Sequence, residues 1–116
     1  MQKSGFGYFL NKKRKWYKTI GEVDCPVLDA CVIFNSKGFN HLLHNGFGER
    51  RNRSESIYRL KLLLLAPNII KTVDRISEYR LSNNKEYWAL EKGKIVVILR
   101  RIGKGNICFY SIWKKK

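Results

Sequence analysis

The stretch "RISEYRLSNNKEYWALEKGKIVVILRRIGKGNICFYSIWK", Arg75 to Lys114, sets the architecture of this 116-residue chain. It contains short runs rich in β-branched and aromatic residues, and the turn signals "NN", "KG" and "GKGN" separate these runs. Short turns of this kind join antiparallel neighbours. The stretch therefore predicts three or four strands in an antiparallel meander.

Alternation along the last run assigns its side chains to the two faces of the sheet. Successive residues of a strand point to opposite faces. In "ICFYSIW", Ile107 to Trp113, Ser111 should therefore share a face with Phe109, and Tyr110 should share the other with Ile112. One face of the sheet should then expose polar groups among aromatic rings, which suits nucleotide stacking.

Upstream of this sheet, the sequence predicts a short strand followed by a helix. "ACVIFNS", Ala30 to Ser36, is typical of a short buried strand that ends in a turn. The helix should begin at an N-cap of Asn35 or Ser36 and stop at Gly46. At 100° per residue, its apolar side chains fall on one side of the helix.

A second helix should run from Asn52 or Arg53 to Ala66. Asn52 with Glu55 three residues later resembles a capping box. The helix becomes apolar nearly all round, as a central buried helix does, and Pro67 should end it.

Together these patterns predict an α+β fold, with N-terminal helices packed on one face of an antiparallel sheet of three or four strands. The length fits one domain. We divide the chain into a basic N-terminal segment, residues 1–24, and a single α+β domain, residues 25–116. The basic segment is compatible with a strand or a short helix.

The charge of the chain indicates a polyanionic partner. Twenty-four Lys and Arg residues against nine Asp and Glu residues give a net charge of +15. Such a field favours RNA, DNA or an acidic protein, although basic residues also aid solubility. The longest apolar run, Leu62 to Ala66, is far too short to span a membrane, and no signal peptide is evident.

The cysteines give no sign of a disulfide framework or a metal site. Their number is odd and no CxxC is present, so free thiols in a reducing cytosol are expected. Cys25, Cys31, His41 and His44 are spaced C-x5-C-x9-H-x2-H, which fits structural zinc poorly. We predict no metal and no other cofactor.

Both histidines of the chain lie in "HLLH", His41 to His44. On the predicted helix they share the polar side with Lys37, so both rings should face solvent. Metal-free RNA cleavage needs a base for the ribose 2′-OH, an acid for the leaving 5′-oxygen and cations for the phosphate. Imidazole suits the proton transfers and guanidinium suits the phosphate. The alternative is a pair of solvated polar residues without a catalytic role.

The segment "KGFNHLLHNGFGERRNRSESIYRLKLLLLAPNII", Lys37 to Ile70, followed by an antiparallel sheet, resembles the barnase–EndoU–colicin–RelE superfamily of small ribonucleases. It is most similar to the phage and mobile-element branch, in which a G-F-x-H-[LI] segment precedes an arginine-bearing helix. The resemblance spans Ala30 to Trp113. It implies a metal-independent, toxin-like endoribonuclease that cuts tRNA or mRNA by 2′-OH attack, leaving a 2′,3′-cyclic phosphate.

The resemblance also implies roles for individual residues. His41 matches the motif histidine as general base or acid, and His44 is the second choice. Arg51 and Arg53 would grip phosphate, and Ser111 would contact the scissile phosphate. The further candidates are Tyr79 for catalysis and Lys37, Arg50, Arg59, Arg100, Arg101 and Tyr110 for RNA binding.

One departure from the superfamily is informative. Several branches place a histidine in the C-terminal sheet, and this chain has none there. Proton transfer then falls to His41 and His44, or Tyr79 or Tyr110 substitutes for the missing histidine, or the protein is inactive.

The expected place of action is the cytosol, after delivery from another cell if the chain is part of a secreted toxin. If an antitoxin or immunity protein exists, it should be acidic. Two other classes of protein fit the same sequence: a non-catalytic basic RNA- or DNA-binding module, and an accessory protein that binds an acidic partner.

Overall fold

The computed structural model describes residues 5–44 and 48–116 and has the predicted α+β fold. Helices and one six-stranded sheet share a single core. In chain order the elements are α1 (Gly5–Ile20), β1 (Glu22–Cys25), β2 (Ala30–Ile33), α2 (Ser36–Leu43), α3 (Arg53–Leu62), α4 (Ala66–Thr72), β3 (Glu78–Ser82), β4 (Lys85–Lys92), β5 (Ile95–Ile102) and β6 (Cys108–Lys114).

The sheet has the order β1-β2-β6-β5-β4-β3. Strands β3 to β6 form the predicted antiparallel meander. The expectation of only three or four antiparallel strands is wrong, because β2 adds in parallel to β6 and β1 then pairs with β2. These two strands have four residues each, which is too short for a clear alternation pattern, and their pairing partner lies far along the chain.

The turn between β3 and β4 fixes the register of that hairpin. Asn83 and Asn84 both have positive φ, at 53° and 66°, as a two-residue type I′ turn requires. This register places Arg80 opposite Tyr87, and Tyr87 lies opposite Arg100 in the next strand. We call the face that carries these three side chains the pocket face of the sheet.

A β-bulge in β6 overturns the strict alternation predicted for that strand. Ile98 pairs with Ser111 whereas Leu99 pairs with Phe109, so Tyr110 is an extra residue. Because Ile98 and Leu99 point to opposite faces, Ser111 and Phe109 do so as well, contrary to the prediction.

The bulge also changes the placement of Ile112. Phe109 and Ile112 both lie in the core, at 1% and 0% exposure, and Ile112 is paired with the fully buried Val97. Tyr110, predicted to share a face with Ile112, instead contacts Arg100 on the pocket face.

Helix α2 begins as predicted, at Asn35, whose side-chain oxygen accepts a hydrogen bond from the backbone N–H of Gly38 at 3.2 Å. Phe39, Leu42 and Leu43 are buried. The helix ends at Leu43, and the predicted stop at Gly46 lies outside the described residues.

Gly38 lets α2 approach β6 closely. A Cβ at this position would lie 2.4 Å from the backbone oxygen of Phe109 and 2.8 Å from the hydroxyl of Tyr17 in α1. The same hydroxyl donates a hydrogen bond to the backbone oxygen of Asn35 at 2.7 Å. Two helices and the sheet therefore meet at one glycine.

The predicted basic segment, residues 1–24, includes a helix that contributes to the core, and the predicted boundary of the segment falls within β1.

Helix α3 begins as predicted but ends earlier. The side-chain oxygen of Asn52 accepts a hydrogen bond from the backbone N–H of Glu55 at 2.8 Å. The helix gives way at Leu62 to a 3₁₀ turn, and Pro67 stands in the first turn of α4 rather than ending a helix. Pro is tolerated there because a first-turn N–H has no intrahelical partner. Leu64 and Leu65 are 49% and 45% exposed, so the prediction that this segment is buried on all sides is also wrong.

Side chains of α3 cover the part of the β6 edge that β2 does not reach. The register pairs β2 with β6 only at Cys108. Further along, the hydroxyl of Tyr58 accepts a hydrogen bond from the N–H of Lys114 at 3.0 Å, and Arg59 donates to the backbone oxygen of Ile112 at 3.3 Å. Polar groups of a helix thus satisfy an otherwise open strand edge.

We expect Gly38→Ala to lower the free energy of unfolding by about 1–3 kcal/mol, since the added methyl group overlaps sheet backbone that cannot move away. Gly5→Ala is the matched control, because a Cβ at Gly5 meets nothing within 4 Å. Urea denaturation measures both. Equal stability of the two variants would contradict the close approach of α2 to β6.

Candidate active site

A pocket of about 520 Å³ opens on the pocket face of the sheet, beside the end of α2 and the start of α3. The residues that line it bring together an imidazole, guanidinium groups, a carboxylate and aromatic rings. Its polar and aromatic lining comprises His41, Arg51, Arg59, Glu78, Arg80, Tyr87, Tyr110 and Ser111, together with two tryptophans.

His41 stacks on the ring of Tyr110, with 4.1 Å between ring centroids and 25° between planes. The bulge at Tyr110 makes this contact possible, because it carries that ring to the pocket face. The prediction that His41 and His44 face solvent together is therefore wrong for His41, whose ring is half-buried against the sheet.

The surroundings of His41 keep its imidazole neutral at physiological pH. Burial, and then the positive charges of Arg51, Arg59 and Arg100, lower the pKa of His41 from 6.5 to about 4. A neutral imidazole can accept a proton at once, so the free protein holds His41 in the form that a general base requires.

Two guanidinium groups stand beside this imidazole, and both are largely withdrawn from solvent. The side chains of Arg51 and Arg59 are 13% and 16% exposed. Both approach one carboxylate, that of Glu55, at 3.8 and 2.9 Å. Burial and the charge of Arg59 lower the pKa of Arg51. Because one carboxylate neutralises only one of the two guanidinium charges, positive charge remains at the pocket wall and favours binding of an anion.

The backbone ties Arg51 to the end of α2. Its N–H donates to the backbone oxygen of Leu43 at 2.7 Å, and its Nε donates to that of His41 at 3.3 Å. His44 and Arg50 form a short antiparallel bridge next to these bonds. The chain thus folds back along α2, which fixes Arg51 next to His41.

Ser111 lies at the wall of the pocket, as a predicted site residue should. Its hydroxyl accepts a hydrogen bond from Nη1 of Arg59 at 3.0 Å, and the residue is 5% exposed. Arg59, which also holds Glu55 and the β6 edge, is therefore largely engaged by the protein itself.

Three predicted residues near the helix ends do not line the pocket. His44 is the C-cap of α2, with Nδ1 3.1 Å from the backbone oxygen of Asn40. The guanidinium of Arg53 lies over the ring of Phe6 in α1, 5.2 Å from its centroid. Arg50 is exposed.

Tyr79 and Arg101 lie on the opposite face of the sheet from the pocket. Both contact Glu86: the Tyr79 hydroxyl donates to it at 2.7 Å, and Arg101 donates to it at 2.6 Å. The pairing of Tyr79 with Trp88 places it one residue out of phase with Arg80. The structure therefore does not bring either residue to His41, and Tyr79 does not replace the missing histidine there.

Sequence reasoning missed Glu78, Arg80 and Tyr87, which all line the pocket. The register of the β3–β4 hairpin places Glu78 opposite Ala89 and Arg80 opposite Tyr87. The "NN" turn carried the signal, because a two-residue loop fixes which residues are opposite each other. Extending alternation from that turn would have put these side chains on one face.

In the described part of the chain, no three His, Cys, Asp or Glu side chains are grouped to hold a metal ion. Nor is any helix of residues 5–44 and 48–116 long and apolar enough to cross a membrane. Comparison with protein-family models, curated proteins and solved structures finds no match to this chain.

The lowered pKa of His41 predicts how folding stability depends on pH. Between about pH 4 and 6.5 the unfolded chain binds a proton that folded His41 does not. The contribution of His41 is thus complete above pH 6.5 and is lost as the pH falls towards 4. His41→Phe keeps a ring for stacking but cannot titrate, so its unfolding free energy should fall less steeply over this range. Identical slopes for wild type and variant in urea denaturation would contradict the shift.

Proposed function

We propose that this protein is a metal-independent endoribonuclease in which His41 is the general base. The observation that carries the proposal is a neutral imidazole, stacked on Tyr110, in a pocket whose wall also presents guanidinium groups. A base beside fixed positive charge is what attack by a ribose hydroxyl on a phosphodiester needs.

The scissile phosphate would lie against Arg51 and Arg80. Arg59 donates hydrogen bonds from Nε and Nη1 to Glu55, Ser111 and the backbone oxygen of Ile112, so its main role in the proposed site is to support it. Arg51 keeps donors for phosphate, since its Nε binds a backbone oxygen and its Nη1 lies 3.8 Å from a carboxylate. Guanidinium suits this role because it stays charged and can bind two phosphate oxygens.

In the proposed reaction, His41 takes the proton of the ribose 2′-OH as O2′ attacks phosphorus. The P–O5′ bond breaks, a 2′,3′-cyclic phosphate forms, and the departing 5′-oxygen takes a proton from an acid. The hydroxyls of Tyr87 and Tyr110 are pocket groups that carry an O–H donor and can supply it. The need for a 2′-OH restricts the reaction to RNA.

An aromatic ring beside the phosphate site, that of Tyr87, would hold a base, because His41 and Arg100 already cover the ring of Tyr110. Tyr87 and Tyr110 meet edge to face, with 5.8 Å between centroids, and the guanidinium of Arg80 lies 5.4 Å from the Tyr87 ring centroid. Base stacking on such rings tolerates many sequences and is worth about 1–3 kcal/mol per base.

The resemblance to the barnase–EndoU–colicin–RelE superfamily belongs to this proposal, as do action on tRNA or mRNA in the cytosol and a toxin-like role. An inhibitory partner, if present, would be acidic, because opposite charge speeds association with a +15 surface.

Purified protein should cleave RNA in the presence of EDTA and leave 2′,3′-cyclic phosphate ends. His41→Ala should lower kcat/KM by roughly 10²–10⁴-fold, since it removes the general base. His44→Ala is the matched control, as this ring lies outside the pocket, and it should retain most activity. Gel analysis of cleaved RNA with mapping of the ends measures both.

RNA binding without cleavage, unchanged by His41→Ala and weakened steeply by salt, would contradict the proposal. That result would identify a non-catalytic nucleic-acid-binding module instead.

Removing the general acid should slow cleavage of the natural RNA, because the departing 5′-oxygen is then not protonated. We expect either Tyr87→Phe or Tyr110→Phe to lower kcat by roughly 10²–10⁴-fold. The same variant should cleave a substrate with a good leaving group, which needs no protonation, at nearly the wild-type rate. If both variants cleave the natural RNA at the wild-type rate, the proton comes from neither hydroxyl.

A further inference from the structure

A second groove, of about 150 Å³, lies next to the pocket and shares Tyr110 with it. Its walls come from the first turn of α2, the end of β5 and the segment leading into β6. The polar groups that line it include Asn35, Lys37, Arg100, Asn106 and Cys108. No carboxylate is among the described residues that line this groove.

Two cations converge on the groove. The guanidinium of Arg100 lies 4.3 Å from the centroid of the Tyr110 ring, and Lys37 is exposed at the opposite wall. Burial raises the pKa of the Cys108 thiol, and the charges of both cations act to lower it. The positive charges of Lys37 and Arg100 therefore both act at the part of the groove around Cys108, which favours a bound anion there.

Helix α2 links this groove to the pocket. Lys37 and His41 are four residues apart, so they lie on the same side of the helix, about 6 Å apart along its axis. One side of α2 thus presents a cation to the groove and the proposed base to the pocket.

We propose that the groove is a second phosphate subsite, which binds the phosphate adjoining the scissile one. This inference rests on the proposed ribonuclease function and specifies its substrate. The substrate is a single-stranded polyribonucleotide whose scissile phosphate lies in the pocket and whose adjoining phosphate lies in the groove. A single strand suits this site better than a duplex, because a paired base must leave the helix before it can stack on Tyr87.

The test compares a dinucleoside monophosphate with the same molecule carrying one additional terminal phosphate, at its 5′ or its 3′ end. In wild type, the additional phosphate at one of these ends should raise kcat/KM roughly tenfold, as a charge-assisted contact would. Lys37→Gln should lose this gain and retain the rate on the shorter substrate. Lys104→Gln is the matched control, since it removes the same charge from the neighbouring loop outside the groove. Equal rates on all substrates, or equal effects of the two variants, would overturn the subsite.

A readout without catalysis separates this inference from the proposed function. A 2′-deoxy oligonucleotide, which cannot be cleaved by 2′-OH attack, should slow alkylation of Cys108 by iodoacetamide. It should leave alkylation of the exposed Cys31 unchanged. Lys37→Gln should weaken the protection at Cys108, and Lys104→Gln should not. If no RNA is cleaved, the proposed ribonuclease function is wrong, but protection of Cys108 still supports an anion subsite in the groove. Absence of protection overturns the subsite.

Discussion

The contact between α2 and β6 at Gly38 is the constraint on which the site depends. The helix lies against the strand so closely that its backbone leaves no room for a β-carbon beside the carbonyl of Phe109. One residue later, the bulge turns Tyr110 to the pocket face. Because α2 is held there, its last turn brings His41 onto the Tyr110 ring. The packing of the core and the placement of the candidate base thus depend on the same contact between α2 and β6.

The electrostatics of the site work against folding and in favour of binding. Arg51 and Arg59 are largely withdrawn from water and share Glu55, while Arg100 adds a third charge near His41. Like charges brought together in a partly buried site destabilise the free protein. A bound phosphate removes that repulsion. A site that destabilises the folded protein by charge repulsion is a candidate for function, because such a group of charges is not needed for packing.

Local signals were sufficient for part of the fold. The caps at Asn35 and Asn52 depend on side chains near their own helix starts, and the meander depends on short turns, so the sequence predicts both. The pairing of β2 with β6, and the bulge at Tyr110, depend on contacts between distant segments. No periodicity encodes them. The candidate site follows the same division: His41 and Arg51 were predicted from residue chemistry and Ser111 from the resemblance, whereas the placement of Glu78 and Tyr87 depends on the strand register.

The most direct test of whether His41 and the surrounding guanidinium groups form one phosphate site is an NMR titration of the His41 imidazole. It is recorded with and without a saturating 2′-deoxy oligonucleotide. A bound phosphate would offset the charges of Arg51, Arg59 and Arg100, so the pKa of His41 should rise from its value of about 4 in the free protein. A pKa that stays the same when the oligonucleotide is bound would contradict a phosphate beside this imidazole.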